Sequence, residues 1–166
     1  MKSFYILSDS TGVGQHVTLH KTWAVMLSEY LEGRYIVQNL SRNGETSRQA
    51  LERLVPDVLR YNPAIVYVQY GTNDANKWDT DRGDARNLPL EFRSNIASII
   101  KRCHTFQARV ILGNNHTEAY NYLIEQVNAD YFVDHSKYED CTLPDGIHLN
   151  ERGHRLYFES IKQWIT

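Results

Sequence analysis

Ala64-Ile65-Val66-Tyr67-Val68-Gln69-Tyr70, followed at once by Gly71-Thr72-Asn73-Asp74, is the stretch that decides the fold. It is of strand length, rich in β-branched and aromatic side chains, and closed by a glycine. Ile65-Val66-Tyr67-Val68 is apolar on both faces. That suits a parallel strand covered by helices on each side. Similar runs lie on either side of it at Phe4–Ser8, Tyr35–Leu40, Ala108–Leu112 and Tyr131–Val133.

Helical patterns fill the intervals. Leu19, Trp23, Met26, Leu27, Tyr30 and Leu31 fall on one helical face, with Gly33 where a helix-ending glycine belongs. Leu51, Leu54, Val55, Val58 and Leu59 mark a second helix, kinked or broken at Pro56. Pro89 opens a third, which runs through Phe92, Ile96, Ile99 and Ile100. Ala119–Val127 gives a short fourth, and Asn150–Ile165 closes the chain. Strand and helix alternating in this way imply right-handed crossovers and a doubly wound α/β sheet. In such sheets ligands bind outside the carboxyl ends of the strands, which is where the chemistry is to be sought.

The 166 residues fit a single domain, 1–166. A formal net charge of −2 and a pI of about 6.4 argue against nucleic-acid or basic membrane-surface partners. Cys103 and Cys141 are too few for a disulfide framework, so a reducing compartment is expected. The N-terminal residues lack the apolar core of a signal peptide, and no run approaches the roughly 18 apolar residues that span a bilayer. The expectation is a soluble, cytoplasmic protein.

Four short blocks stand beside the expected strand ends or the last helix. Ser8-Asp9-Ser10-Thr11 follows the first strand and can present a hydroxyl to a cleft, although serines are also common in turns and caps. Asn43-Gly44-Glu45-Thr46 follows the second; its glycine suits both a tight turn and a backbone N–H brought close to a substrate oxygen. Asn73 in Gly71-Thr72-Asn73-Asp74 is a neutral donor able to stabilise an oxyanion, in a sequence that also favours a turn. Asp145-Gly146-Ile147-His148 precedes the last helix, with a carboxylate spaced to accept from one ring nitrogen while the other faces a serine.

Taken together and in this order, the blocks resemble the SGNH hydrolase superfamily, also called the GDSL esterases, over residues 4 to 165. The resemblance implies a three-layer α/β/α sandwich around a five-stranded parallel, flavodoxin-like sheet. It also implies a serine esterase with Ser10 as nucleophile, His148 as base and Asp145 as the partner that orients it. Ser10, Gly44 and Asn73 match the family's oxyanion hole. No cofactor and no metal are implied. The family's usual Gly-Asp-Ser-Leu is here Ser8-Asp9-Ser10-Thr11; Ser8 adds a second hydroxyl, but only Ser10 aligns with the family serine.

Asp9 and Asp74 are read as turn carboxylates that accept backbone N–H bonds. The long loops Ala75–Leu88 and Lys137–Ile147 are polar, and Trp78 in the first can either stack on a sugar face or pack the loop down. The expected partner is a small-molecule or glycan ester, with short acyl groups preferred. A lysophospholipase or thioesterase, an acyltransferase, and a non-catalytic glycan-binding module on the same fold are the alternatives. Gly12-Val13-Gly14 lacks the third glycine of a dinucleotide loop, and Asp79–Asp84 lacks calcium-loop spacing. The histidines form no closed four-ligand pattern.

Overall fold

A computed structural model describes residues 1–77 and 83–165. These residues form five strands, β1 (Lys2–Ser8), β2 (Tyr35–Asn39), β3 (Ile65–Gln69), β4 (Arg109–Gly113) and β5 (Tyr131–Val133). All pair in parallel, in the spatial order β2-β1-β3-β4-β5. The helices are α1 (Ser10–Val13), α2 (Trp23–Tyr30), α3 (Ser47–Asp57), α4 (Pro89–Thr105), α5 (Asn121–Ile124) and α6 (Glu151–Lys162).

Successive strand side chains point to opposite faces, and each face has its own helix layer. Phe4, Ile6, Ile65, Tyr67 and Ile111 pack with Trp23 and Leu27 of α2 and Tyr157 and Ile161 of α6. Tyr5, Leu7, Val66, Val68 and Leu112 meet Ala50 and Leu54 of α3 and Phe92 and Ile96 of α4. Every residue of β3 is buried, as its doubly apolar sequence requires. Burying each large side chain contributes about 1.5–3 kcal/mol.

Local signals place the helix ends. Thr46 and Gln49 form a reciprocal capping box at the start of α3, Pro89 occupies the first turn of α4, and the Asn150 side chain accepts from Gly153 N–H at 2.8 Å. Helix α3 passes through Pro56 and stops one residue later, so the break falls at Val58; Leu59–Tyr61 forms a separate 3₁₀ turn. Leu19 is not part of α2. It lies in a 3₁₀ turn, 69% exposed, because Thr22 Oγ1 donates to Leu19 O and ends that turn before the helix begins. The fourth helix shrinks to the single turn α5. Among the described residues no helix is long and apolar enough to cross a membrane.

From β1 the chain winds out to β2 on one side and later returns to β3 on the other. The reversal opens a crevice at the carboxyl ends of β1 and β3, and the segments that begin at Asp9 and Tyr70 emerge there.

Candidate active site

Asp9 caps α1 by accepting the Thr11 N–H at 2.9 Å. Ser10 is therefore the first helical residue, and its own N–H has no acceptor within the helix. Its side chain is half-buried. Ser8, the other hydroxyl of the block, is fully buried and donates to Gln69 Oε1 at 2.7 Å. Gln69 in turn donates to Asn115 Oδ1 at 2.6 Å, and Asn115 donates to Tyr70 O at 2.8 Å. Ser8 is thus bound into a buried amide relay under the strand ends. The turn closes tightly because Gly12 has no side chain; a Cβ there would stand 2.1 Å from Ser41 Oγ and 2.8 Å from Ser8 Cβ.

Gly44 differs from Gly12. Nothing stands within 4 Å of a Cβ built on it, but its φ is +71°, which glycine adopts without strain. Its carbonyl accepts from Arg86 Nη1 at 2.7 Å, and among the described residues its N–H donates to nothing. The next residue, Glu45, is buried and takes a two-pronged bond from Arg53, 2.6 Å from Nε to Oε1 and 2.6 Å from Nη2 to Oε2. Tyr70 O–H adds a third donor at 2.7 Å. Asn73 Nδ2 reaches the same segment, donating to Glu45 O at 3.2 Å and to Asp9 Oδ2 at 3.3 Å. The Asn73 amide therefore lies between the Gly44 turn and the Ser10 turn, held by two long bonds.

Asp9 and Asp74 behave as the turn reading expects. Asp74 accepts from the Ser47 N–H and hydroxyl and from the Asn87 amide, which ties the segment after β3 to the start of α3. Burial raises its carboxyl above the ordinary range against the pull of those bonds. Burial likewise pushes Asp9 up to about 6, opposed by its bonds from Thr11.

Asp145 and His148 lie on the loop before α6. His148 Nδ1 is 2.6 Å from Asp145 Oδ2, while Oδ1 accepts the N–H groups of Ile147 (2.9 Å) and His148 (3.0 Å). The ring bond, then the two backbone bonds, hold this exposed carboxyl well below the usual carboxylate range. A carboxylate only accepts, so Nδ1 carries the proton and Nε2 is left to act as a base. The His148 ring meets His16 edge-on, with centroids 5.0 Å apart. His16 follows α1, so the His148 ring lies beside the segment that leaves the Ser10 turn. Ser10 Oγ and His148 Nε2 are not hydrogen-bonded, and such contacts are often long before substrate arrives.

The structure thus gathers Ser10, Gly44, Asn73, Asp145 and His148 at one end of the sheet. Trp78 lies outside the described residues, as does most of the Asp79–Asp84 stretch. Sequence reading missed the Glu45–Arg53–Tyr70 cluster, Arg86, His16 and His116. Arg53 carried a sign of its role: it falls in phase with buried Ala50 and Leu54 on α3.

A doubly wound parallel sheet with a serine turn after its first strand, an amide donor after its third and a histidine–carboxylate pair before its last helix defines a serine-hydrolase class. Residues 8–156 match the GDSL-like lipase/acylhydrolase family, and the chain belongs to that family. Among curated relatives, thioesterase 1/protease 1/lysophospholipase L1 of Escherichia coli is 33% identical over 69 residues, covering 42% of this chain and 33% of that protein. Esterase TesA of Pseudomonas aeruginosa is 29% identical over 114 residues, covering 67% of this chain and 53% of that protein. The chain thus spans about a third to a half of the length of these relatives. Among solved structures, the acetyl xylan esterase AlAXEase shares the fold with a TM-score of 0.80 at 17% identity, over 99% of this chain and 100% of that one.

Proposed function

We propose that this chain hydrolyses short-acyl esters of polar, hydroxyl-rich alcohols, such as O-acetylated carbohydrate, through an acyl-enzyme on Ser10. The carrying observation is the His148–Asp145 pair, which leaves one ring nitrogen to act as a base, on a ring that meets His16 just after the Ser10 turn. His148 Nε2 takes the Ser10 proton as Oγ attacks the ester carbon. The oxyanion receives hydrogen bonds from the Ser10 and Gly44 N–H groups and from the Asn73 amide, each such donor worth about 10²–10³ in rate. The proton on Nε2 passes to the leaving alcohol as the C–O bond breaks. Water then repeats the sequence and releases the acid. Ionised Asp145 stabilises the imidazolium through both steps.

The acyl preference is supported by the polar rim. His16 stands beside His148 and is itself bonded to Gln15, Arg86 covers the Gly44 carbonyl, and the Thr72 and Thr117 hydroxyls pair next to Asn73. A long acyl chain needs an extended apolar lining, at about 0.8 kcal/mol per buried methylene. The fold shared with an acetyl xylan esterase agrees with this reading. A thioesterase or lysophospholipase reading is favoured by Ile147, 47% exposed beside His148, and by the name of the Escherichia coli relative.

The test is a p-nitrophenyl ester series from acetyl to dodecanoyl, with matched thioesters and with an alcohol acceptor present or absent. It is run alongside fluorophosphonate labelling. The highest kcat/KM is expected for acetyl and butyryl oxygen esters, with labelling lost in Ser10→Ala and kept in Ser8→Ala. Rising activity towards dodecanoyl gives the lipase or thioesterase reading, and acyl transfer to the alcohol gives the transferase. An unlabelled, inert protein gives the glycan-binding module.

A further inference from the structure

His116 lies just past β4, outside the blocks that mark the site. Its Nε2 is 2.7 Å from Ile147 O, and its Nδ1 is 2.8 Å from the Tyr157 hydroxyl. A carbonyl oxygen only accepts, so Nε2 carries the ring proton and donates to Ile147. Nδ1 then accepts from Tyr157. Burial lowers the His116 pKa, which favours this neutral form.

Ile147 O belongs to the peptide unit that joins Ile147 to His148. The other pole of that unit, the His148 N–H, is bonded to Asp145 Oδ1 at 3.0 Å. A peptide unit is planar and stiff. Holding its oxygen from one side and its N–H from the other fixes the plane, and with it the direction in which His148 leaves the backbone. Tyr157 is itself immobilised: it is fully buried on α6 and stacked on His135, with centroids 3.7 Å apart and planes within 4°. His135 bonds Tyr67 of β3 at 2.9 Å. The tether therefore runs from the sheet through Tyr67, His135, Tyr157 and His116 to the loop that carries the base.

We propose that His116 is a positioning residue for ester hydrolysis, holding the Ile147–His148 peptide so that the His148 ring stands over Ser10. The proposal rests on the reading of Ser10 and His148 given above. Elsewhere the loop is closed by Leu143, whose N–H donates to His148 O at 2.7 Å and whose carbonyl accepts from Gly146 N–H at 2.9 Å. Neither bond grips the Ile147–His148 peptide unit, and Asp145, Gly146 and Ile147 are exposed.

The experiment compares wild type, His116→Ala, His116→Gln and Tyr157→Phe in the full chain. It measures kcat and KM on p-nitrophenyl acetate, fluorophosphonate labelling rate, and amide exchange at His148. Misplacing a reacting group by an ångström costs up to about 10²-fold. His116→Ala is expected to lower kcat and labelling rate together by roughly 10–100-fold, leave KM within about twofold and speed exchange of the His148 amide. His116→Gln can still donate to Ile147 O and should recover most of the loss. Tyr157→Phe keeps the ring stack and should lose only severalfold in kcat.

Wild-type kcat and unchanged exchange in His116→Ala would overturn the proposal. Equal losses in the Ala and Gln variants, tracking a lowered melting temperature, would reduce His116 to a packing role and overturn it too. An inert, unlabelled wild type would instead bring down the reading on which the proposal rests.

Discussion

The Gly44–Asn73 side of the cleft and the Asp145–His148 side are held by different means. On the first, the side chains of Glu45 and Arg53 are 3% and 9% exposed, and Asn73 is tied to backbone and carboxylate beside them. On the second, Asp145 and His148 are 40% and 19% exposed on a loop held by an Asx-like turn, by the Leu143 N–H bond to His148 O and by His116. The physical demands differ in the same sense. Donors aimed at an oxyanion act most strongly when desolvated and fixed in advance. A base that hands protons to an alcohol and takes them from water has to stay open to solvent. The charged framework is therefore buried on one side and exposed on the other.

The largest effect expected is on the open side. His148→Ala should lower kcat by about 10⁴-fold or more while leaving the fold intact, since the ring is partly exposed and pairs with Asp145 and His16 at the surface rather than in the core. Steady-state kinetics with a melting curve checks both halves; a collapsed melting temperature would mean that the open side is structural after all.

Next comes the buried pair. Arg53→Ala strands Glu45 in the interior and should destabilise the protein by about 3–5 kcal/mol in urea unfolding. A loss under about 1 kcal/mol would show that the Gly44 side is held no better than the other.

Asn73→Ala should cost about 10²–10³ in kcat with a smaller change in KM, because an oxyanion bond strengthens in the transition state. Loss confined to KM would make Asn73 a substrate-positioning group.

The smallest effect separates the two carboxylates. Asp9 is raised from 3.8 to about 6, so its contribution to stability is present below about pH 4 and is lost as pH rises through 6. Asp145 is shifted downward, so its contribution is lost only as pH falls below the ordinary carboxylate range. His154, lowered by burial from 6.5 to about 4, loses stability as pH falls across the same window and so masks Asp9 in the wild type. Asp9→Asn should therefore unfold more steeply on acidification from pH 6.5 to 4.5, by on the order of 2 kcal/mol across the window. Asp145→Asn should leave that slope unchanged. Parallel curves for wild type and Asp9→Asn would remove the distinction.

The central strands β1, β3 and β4 were legible because parallel strands buried on both faces are written as apolar runs, as in Ile65-Val66-Tyr67-Val68. The edge strands β2 and β5 are partly exposed and showed through shorter apolar stretches. Ser10, Gly44 and Asn73 were singled out because each stands shortly after an expected strand, in the order that the family's blocks have. The tethers were harder to read. Arg53 looks like a solvent-facing helix residue unless its phase with Ala50 and Leu54 is noticed. His116 acts on a backbone carbonyl, which leaves no mark in the sequence at Ile147. Leu19 was misplaced because Thr22 ends a 3₁₀ turn where the apolar spacing continued without a break.

The Ser8–Gln69–Asn115 relay sets a rule for how this chain can diverge. Ser8 stands where the family's usual motif has glycine, and its hydroxyl is the donor to Gln69 Oε1. Replacing Ser8 by glycine alone would leave a buried amide oxygen without its partner, at about 1–3 kcal/mol. Replacing Gln69 alone would take a donor from Asn115 as well. The side chains at positions 8, 69 and 115 therefore depend on one another for their hydrogen bonds. A lineage moving between Gly-Asp-Ser and Ser-Asp-Ser should change position 69 in nearly the same step.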